Sequence, residues 1–219
     1  MWPVAAAKCD EVMPFPLPSR EGRLSPEAEE PIRRRAGACD AVLVGCGLGR
    51  GPGCDALVRR LLDLDRPLVL DADGINALSG HMDALSLRRG RTTVLTPHEG
   101  EFLRVGGDLS QGRTAAAEDF ARRSGAVVVL KGPGTVVAGP DGRCRVNTTG
   151  NCGMAKGGSG DVLSGALLGL GMDAFDACCC AVWLHGRAGD LAAQEKGQWG
   201  MTPTDLLERL PQALREVTE

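Results

Sequence analysis

The chain has 219 residues, 43% of them hydrophobic and 24% charged, with a formal net charge of −3. That length suits one hydrophobic core, and the charge balance excludes an electrostatic grip on nucleic acid or an anionic membrane. No apolar run approaches the roughly 18 residues of a membrane span. The start, Met1-Trp-Pro-Val-Ala-Ala-Ala-Lys8, lacks the charged and apolar regions of a signal peptide. Nine cysteines without a Cys-x-x-Cys pair argue for reduced thiols in a cytoplasmic protein, with neither a disulfide framework nor a structural metal.

Residues 1–31 are rich in proline and polar groups, with Met13-Pro-Phe-Pro-Leu-Pro18 as the extreme; proline lacks an amide donor and fixes φ, which predicts a loop or edge segment. Short apolar runs and helical patterns then alternate. Ala41-Val-Leu-Val44 reads as a buried strand ending in Gly45-Cys-Gly-Leu-Gly49, with a helix through Leu57, Val58, Leu61 and Leu62. Pro67-Leu-Val-Leu-Asp71 is the next strand, and Gly74-Ile-Asn-Ala-Leu78 opens a short helix. Thr93-Val-Leu-Thr96 leads into Pro97-His-Glu-Gly-Glu-Phe102. A helix over 113–124 precedes the strand Ala126-Val-Val-Val-Leu130, and Thr135-Val-Val-Ala138 turns at 139–142 to return through 143–146 as a hairpin. Helices over 161–170, 174–195 and 204–219 complete the chain.

Continuous apolar strands alternating with helices predict an α/β fold with a mostly parallel sheet and helices on both faces. In such sheets ligands bind beyond the C-terminal strand ends, where the turns at 45–49, 71–76, 96–101 and 131–135 fall. The 31 glycines suit close backbone approach there.

The chemistry concentrates in Asn151-Cys-Gly-Met-Ala-Lys-Gly157-Gly158-Ser159-Gly160-Asp161. Glycines let consecutive amides converge on one anion, and the helix that follows adds its positive end. Asp161 beside such an anion hole can take a proton from a substrate hydroxyl; the plainer alternative is that it caps the helix. The spacing is not that of a P-loop. Lys131-Gly132-Pro133-Gly134-Thr135 offers a cation, a flexible turn and a hydroxyl at a strand end, or else a solvent-facing hairpin start. His98 sits among polar residues and glycine. Asp71, Asp73 and Asn76 read as caps of a short helix, His81 and His185 lack a supporting constellation, and Lys156 faces either solvent or phosphate.

Thr96-Pro-His-Glu-Gly-Glu-Phe102 together with residues 151–165, supported by 71–78 and 130–134, resembles the ADP- or ATP-dependent NAD(P)H-hydrate dehydratases, a branch of the ribokinase-like superfamily. The resemblance implies a ribokinase-like domain over residues 1–219. It implies a hydro-lyase that restores NAD(P)H from its hydrated form, using ADP or ATP with Mg2+ and working as a homo-oligomer. Asp161 would deprotonate the ring hydroxyl as catalytic residue and touch the substrate. Gly157, Gly158, Ser159 and Gly160 would hold the phosphoryl group, with Asn151 and Lys131, Gly132, Pro133, Gly134 and Thr135 also at the nucleotide. Gly47, Gly49 and His98 would line the place of the hydrated dinucleotide. Two small departures are Cys46 and Cys152, where family members often carry proline. A larger one is a strand–helix–strand segment with a glycine-rich turn that normally comes first, so an N-terminally truncated domain is expected. Alternatives are a vitamin-precursor or sugar kinase of the same fold, or an inactive nucleotide-binding fragment.

Overall fold

The structure is a computed structural model, and it describes residues 2–9, 11–167 and 172–218. Helix α1 (Trp2–Lys8) opens the chain where a loop is expected: a run of alanine favours helix, and Pro3 sits in the first turn, where it is tolerated. Strands β1 (Ser19–Arg20) and β2 (Arg23–Leu24) form a small hairpin. Its turn residues Glu21 and Gly22 both have positive φ, the geometry of tight hairpins. Helix α2 (Glu29–Ala36) follows.

Strand β3 (Val42–Val44), helix α3 (Pro52–Arg60), strand β4 (Leu68–Leu70), helix α4 (Asp73–Asn76), strand β5 (Thr93–Leu95) and helix α5 (Glu99–Arg104) come next. Helix α6 (Arg113–Ser124) ends on Gly125 in the left-handed conformation. Strands β6 (Val127–Leu130), β7 (Val136–Ala138) and β8 (Cys144–Val146) follow, and then helices α7 (Ser159–Leu167), α8 (Ala174–Gly200) and α9 (Pro203–Thr218). The predicted 168–170 end of α7 lies outside the described residues.

Among the described residues six strands form the main sheet in chain order, β3-β4-β5-β6-β7-β8. The first four run parallel, and β7 and β8 return as antiparallel neighbours. Alternation along the strands divides the core. Leu68, Leu70, Leu95, Val128 and Leu130 pack with Val58, Phe102, Ala117 and Phe120 from α3, α5 and α6. Val69, Val94, Val127, Val129 and Val137 pack against Leu163, Leu167, Cys178 and Val182 from α7 and α8. Burial on both faces is why these strands read as unbroken apolar runs. A third cluster, with Ala188, Leu191, Met201 and Leu206, joins α8 to α9.

The C-terminal strand ends close on one another. Gly45 has φ +135°, and a Cβ there would lie 1.7 Å from the Asp71 carbonyl oxygen, so no other residue lets the ends of β3 and β4 approach this closely. Lys131 N donates to Pro97 O at 2.8 Å and sets His98 beside Lys131.

The Phe102 and Phe120 rings, with centroids 4.9 Å apart, are both buried under the sheet. Phe120→Ala is expected to lose about 3–5 kcal/mol of unfolding free energy, the usual range for a buried phenylalanine, with Phe120→Leu losing less. Urea denaturation measures both; equal midpoints for wild type and Phe120→Ala contradict the packing described.

Candidate active site

At that edge of the sheet lies a cavity of about 880 Å³, within the range of small-molecule sites. Its lining includes His98, residues 131–135, Asn151 and residues 157–161, which come from separate loops. Gly47 and Gly49 are not among the lining residues. Their turn stands next to the cavity: Gly49 N donates to Asp73 Oδ2 at 2.9 Å, and the thiol of Cys46 reaches Asp71 Oδ2 at 3.6 Å.

Asp71 is the buried hub, 1% exposed. Its Oδ1 accepts from Lys131 Nζ at 2.7 Å and its Oδ2 from Ser164 Oγ at 2.8 Å. Burial alone would raise its pKa, but the Lys131 ammonium and the hydrogen bonds from Lys131, Ser164 and Thr96 outweigh it and hold the carboxyl below its usual value. Asp71 is therefore not the helix cap expected from its local sequence; the cap position of α4 is Ala72, with φ +47°. Glu101 also lies near the lysine, with Oε2 4.0 Å from Nζ. His98 caps α5 in a reciprocal box: its Nδ1 accepts from Glu101 N at 3.3 Å, and its own N donates to Glu101 Oε2 at 2.9 Å.

The glycine-rich turn faces this pair. A Cβ on Gly160 would lie 3.4 Å from Lys131 Nζ. The α7 ladder starts with Val162 N donating to Gly158 O, and Ser159 N is taken by Lys156 O, both at 3.2 Å. The amides of Gly160 and Asp161 have no acceptor among the described residues, the state of a helix N-terminus that receives an anion. Helix α7 begins two residues before the expected start, so Asp161 stands inside its first turn rather than at the cap, with its side chain exposed at the cavity. Atoms of Cys46, Asp71 and Asp161 lie within 4.8 Å of one another. Burial, then the hydrogen bond to Asp161 and the Asp71 charge, push the Cys46 thiol up to about 12, so it is a protonated donor at neutral pH.

The other wall belongs to α8. Asp190 accepts from Gly150 N and from Asn151 Nδ2, both at 2.9 Å, and Asn151 Oδ1 accepts from Gly153 N at 3.0 Å. Asn151 thus shapes the loop with its whole amide. The Lys131 turn is braced from α6, where Arg113 donates to Pro133 O at 2.6 Å and to Leu130 O at 2.9 Å. Lys156 also lines the cavity, with its ammonium donating to the carbonyls of Trp199 and Met201. Sequence reasoning misses Asp71 and His185. For Asp71 the signal was a carboxylate ending a wholly apolar strand; for His185 it was an imidazole flanked by the small residues Gly186, Ala188 and Gly189.

His185 Nε2 is 2.8 Å from Ser159 O. Burial above all, with a smaller push from the Lys131 charge and against the Ser159 hydrogen bond, lowers its pKa to about 4. A base with a depressed folded-state pKa favours folding above its unfolded value near 6.5, and that contribution fades as pH falls toward 4. Acidification across this window is expected to cost wild type on the order of 3 kcal/mol more than His185→Gln. Urea midpoints from pH 7 to pH 4 measure this; parallel curves for the two proteins would contradict the buried neutral imidazole.

A family profile described as NAD(P)H-hydrate dehydratase matches residues 4–212. The bifunctional NAD(P)H-hydrate repair enzyme Nnr of Moorella thermoacetica is 41% identical over 225 aligned residues, covering 99% of this chain and 42% of the relative. The ADP-dependent (S)-NAD(P)H-hydrate dehydratase of Neisseria meningitidis is 42% identical over 168 residues, covering 72% of this chain and 57% of the relative. Among solved structures, the ADP/ATP-dependent NAD(P)H-hydrate dehydratase from Bacillus subtilis, co-crystallized with ATP/Mg2+, superposes with a TM-score of 0.70 at 34% identity, over 84% of this chain and 69% of that one. The chain spans about two fifths of the length of the bifunctional relatives it matches. The mostly parallel sheet covered on both faces is the ribokinase-like fold, and the chain belongs to the NAD(P)H-hydrate dehydratase family.

Proposed function

We propose that the protein, with residues 1–219 as one domain, restores NAD(P)H from its hydrated form in an ADP- or ATP-dependent dehydration. The observation that carries this reading is Asp161, an exposed carboxylate at the cavity, one residue from the Gly160 amide and opposite the Lys131 ammonium. That is a base next to a place for phosphate. The names of the family relatives support the substrate.

In this reading the Asp161 carboxylate takes the proton of the ring hydroxyl. The freed oxygen bonds to the terminal phosphorus of the nucleotide as the bridging P–O bond breaks, leaving AMP from ADP or ADP from ATP. The ring C–O bond then breaks, phosphate departs with the former hydroxyl oxygen, and loss of a neighbouring ring proton restores the double bond. The open amides of Gly160 and Asp161, at the end of the 157–161 turn, hold the phosphoryl oxygens in place. Lys131, aimed by Asp71, offsets their charge, and Thr135, Gly132, Pro133 and Gly134 shape the nucleotide's bed. His98, Gly47 and Gly49 border the dinucleotide.

Cys46, Asp71 and Asp161 converge, but a protonated thiol and a carboxylate already paired with Lys131 make a poor magnesium cage. The Asp161 carboxylate together with nucleotide phosphates fits an ion that keeps most of its waters. Magnesium held there would neutralise phosphoryl charge.

A homo-oligomer and a cytoplasmic setting go with this reading. Exposed Trp199, Leu207, Leu214 and Val217 support the first. All nine cysteines, which lie among the described residues, are free thiols, and this supports the second. No described helix is long and apolar enough to cross a membrane. Light scattering measures the assembly.

The direct test incubates hydrated NADH and Mg2+ with protein and ADP, ATP or neither, following the reduced-nicotinamide absorbance and free phosphate. Nucleotide-dependent recovery of both is expected; an accumulating phosphorylated alcohol would point to a kinase instead. Asp161→Asn is expected to lose turnover by about 10² or more while ADP still raises the melting temperature; unchanged turnover removes Asp161 from the chemistry. His98→Ala should raise the KM for hydrated NADH more than it alters nucleotide affinity, and an effect on the nucleotide alone would reassign it.

A further inference from the structure

Three of the five residues at 157–161 are glycine, so nothing in their local backbone preference holds the turn in one shape. Its anchors come from elsewhere. Ser164, one turn into α7, is tied to Asp71, and that fixes the helix body rather than its first turn. The first turn is reached from α8: His185 Nε2 lies 2.8 Å from the Ser159 carbonyl oxygen, with the ring in the cavity wall. A carbonyl oxygen only accepts, so Nε2 carries the proton.

The same stretch of α8 also seats the opposite loop. Gly186 is pressed against Thr149, where a Cβ would lie 2.2 Å from Oγ1. Asp190, further along α8, holds Gly150 and Asn151. Adjacent residues of one rigid helix therefore set the position of both loops that face the cavity.

We propose that His185 is a positioning residue for the phosphate-holding turn: its Nε2–H, bonded to the Ser159 carbonyl, fixes residues 157–161 so that the Gly160 and Asp161 amides converge on one anion. This rests on the reading of that turn as the phosphate site. Burial keeps the ring neutral, so it contributes direction and not charge. Glutamine can place an amide N–H near the same point; leucine fills the space without a donor.

The experiment compares dissociation constants for ADP and for adenosine, each with Mg2+, by calorimetry on the whole chain as wild type, H185L and H185Q. Wild type is expected to bind ADP more tightly than adenosine. H185L should weaken ADP by about 10-fold, the scale of one lost hydrogen bond, and leave adenosine unchanged. H185Q should stay within about 3-fold of wild type for ADP, a smaller loss than one hydrogen bond. Equal losses for ADP and adenosine in H185L, no loss at all, or glutamine no better than leucine would each overturn the proposal. The ring's ¹⁵N signals in wild type give a measurement that needs no variant: a proton on Nδ1 instead of Nε2 also overturns it. If wild type binds ADP no better than adenosine, the phosphate site itself is wrong. If wild type discriminates and the variants do not differ from it, only the role of His185 falls.

Discussion

The site hangs on one buried ion pair. Asp71 at the end of β4 and Lys131 at the end of β6 are 60 residues apart in sequence and 2.7 Å apart in space. A carboxylate this deep is costly unless it is paired and hydrogen-bonded, and Asp71 has the ammonium on one oxygen and the Ser164 hydroxyl on the other. The pairing stops the long lysine chain from sampling solvent and aims it at Gly160. Through Ser164 the same carboxylate sets the axis of α7, and with it the place of Asp161. The lysine, the glycine turn and the Asp161 carboxylate are thereby referred to a single buried group.

The backbone around this hub is cut to let it form. Gly45 allows the ends of β3 and β4 to touch, and the bond from Lys131 N to Pro97 O carries the parallel pairing one step beyond β5 and β6. Outside that line, Arg113 braces the Lys131 turn from α6, and Asp190 braces the Asn151 loop from α8. The loops are irregular in backbone but well supplied with partners, which is how a glycine-rich rim stays preorganised.

Much of this was legible in the sequence. The unbroken valine and leucine runs announced strands buried on both faces, and the helix expected over 113–124 is α6, closed by Gly125. Lys131, the glycine turn and Asp161 stood out by their local pattern, and the fold brings them to one cavity. What could not be read was long-range. Asp71 looks like a cap until Lys131 and Ser164 arrive from 60 and 93 residues away. His185 has no chemical neighbour within its own helix, and Lys156 is claimed by carbonyls beyond position 196. At the front, prolines suggested a loop or an edge segment, whereas the alanines of α1 and the Glu21-Gly22 turn impose local order.

The chain-order succession of strands bears on how the molecule assembles. Each strand from β3 to β8 is laid beside the one made just before it, so the sheet can grow from its β3 edge one crossover at a time, with no later strand inserted between earlier ones. The Ser164 bond to Asp71 spans 93 residues and needs α7, which follows the last strand. By that ordering the scaffold stands before the cavity is complete: a partly made chain carries Lys131 and Asp71 without the glycine turn, and the cavity takes its full lining only once α7 and α8 have docked.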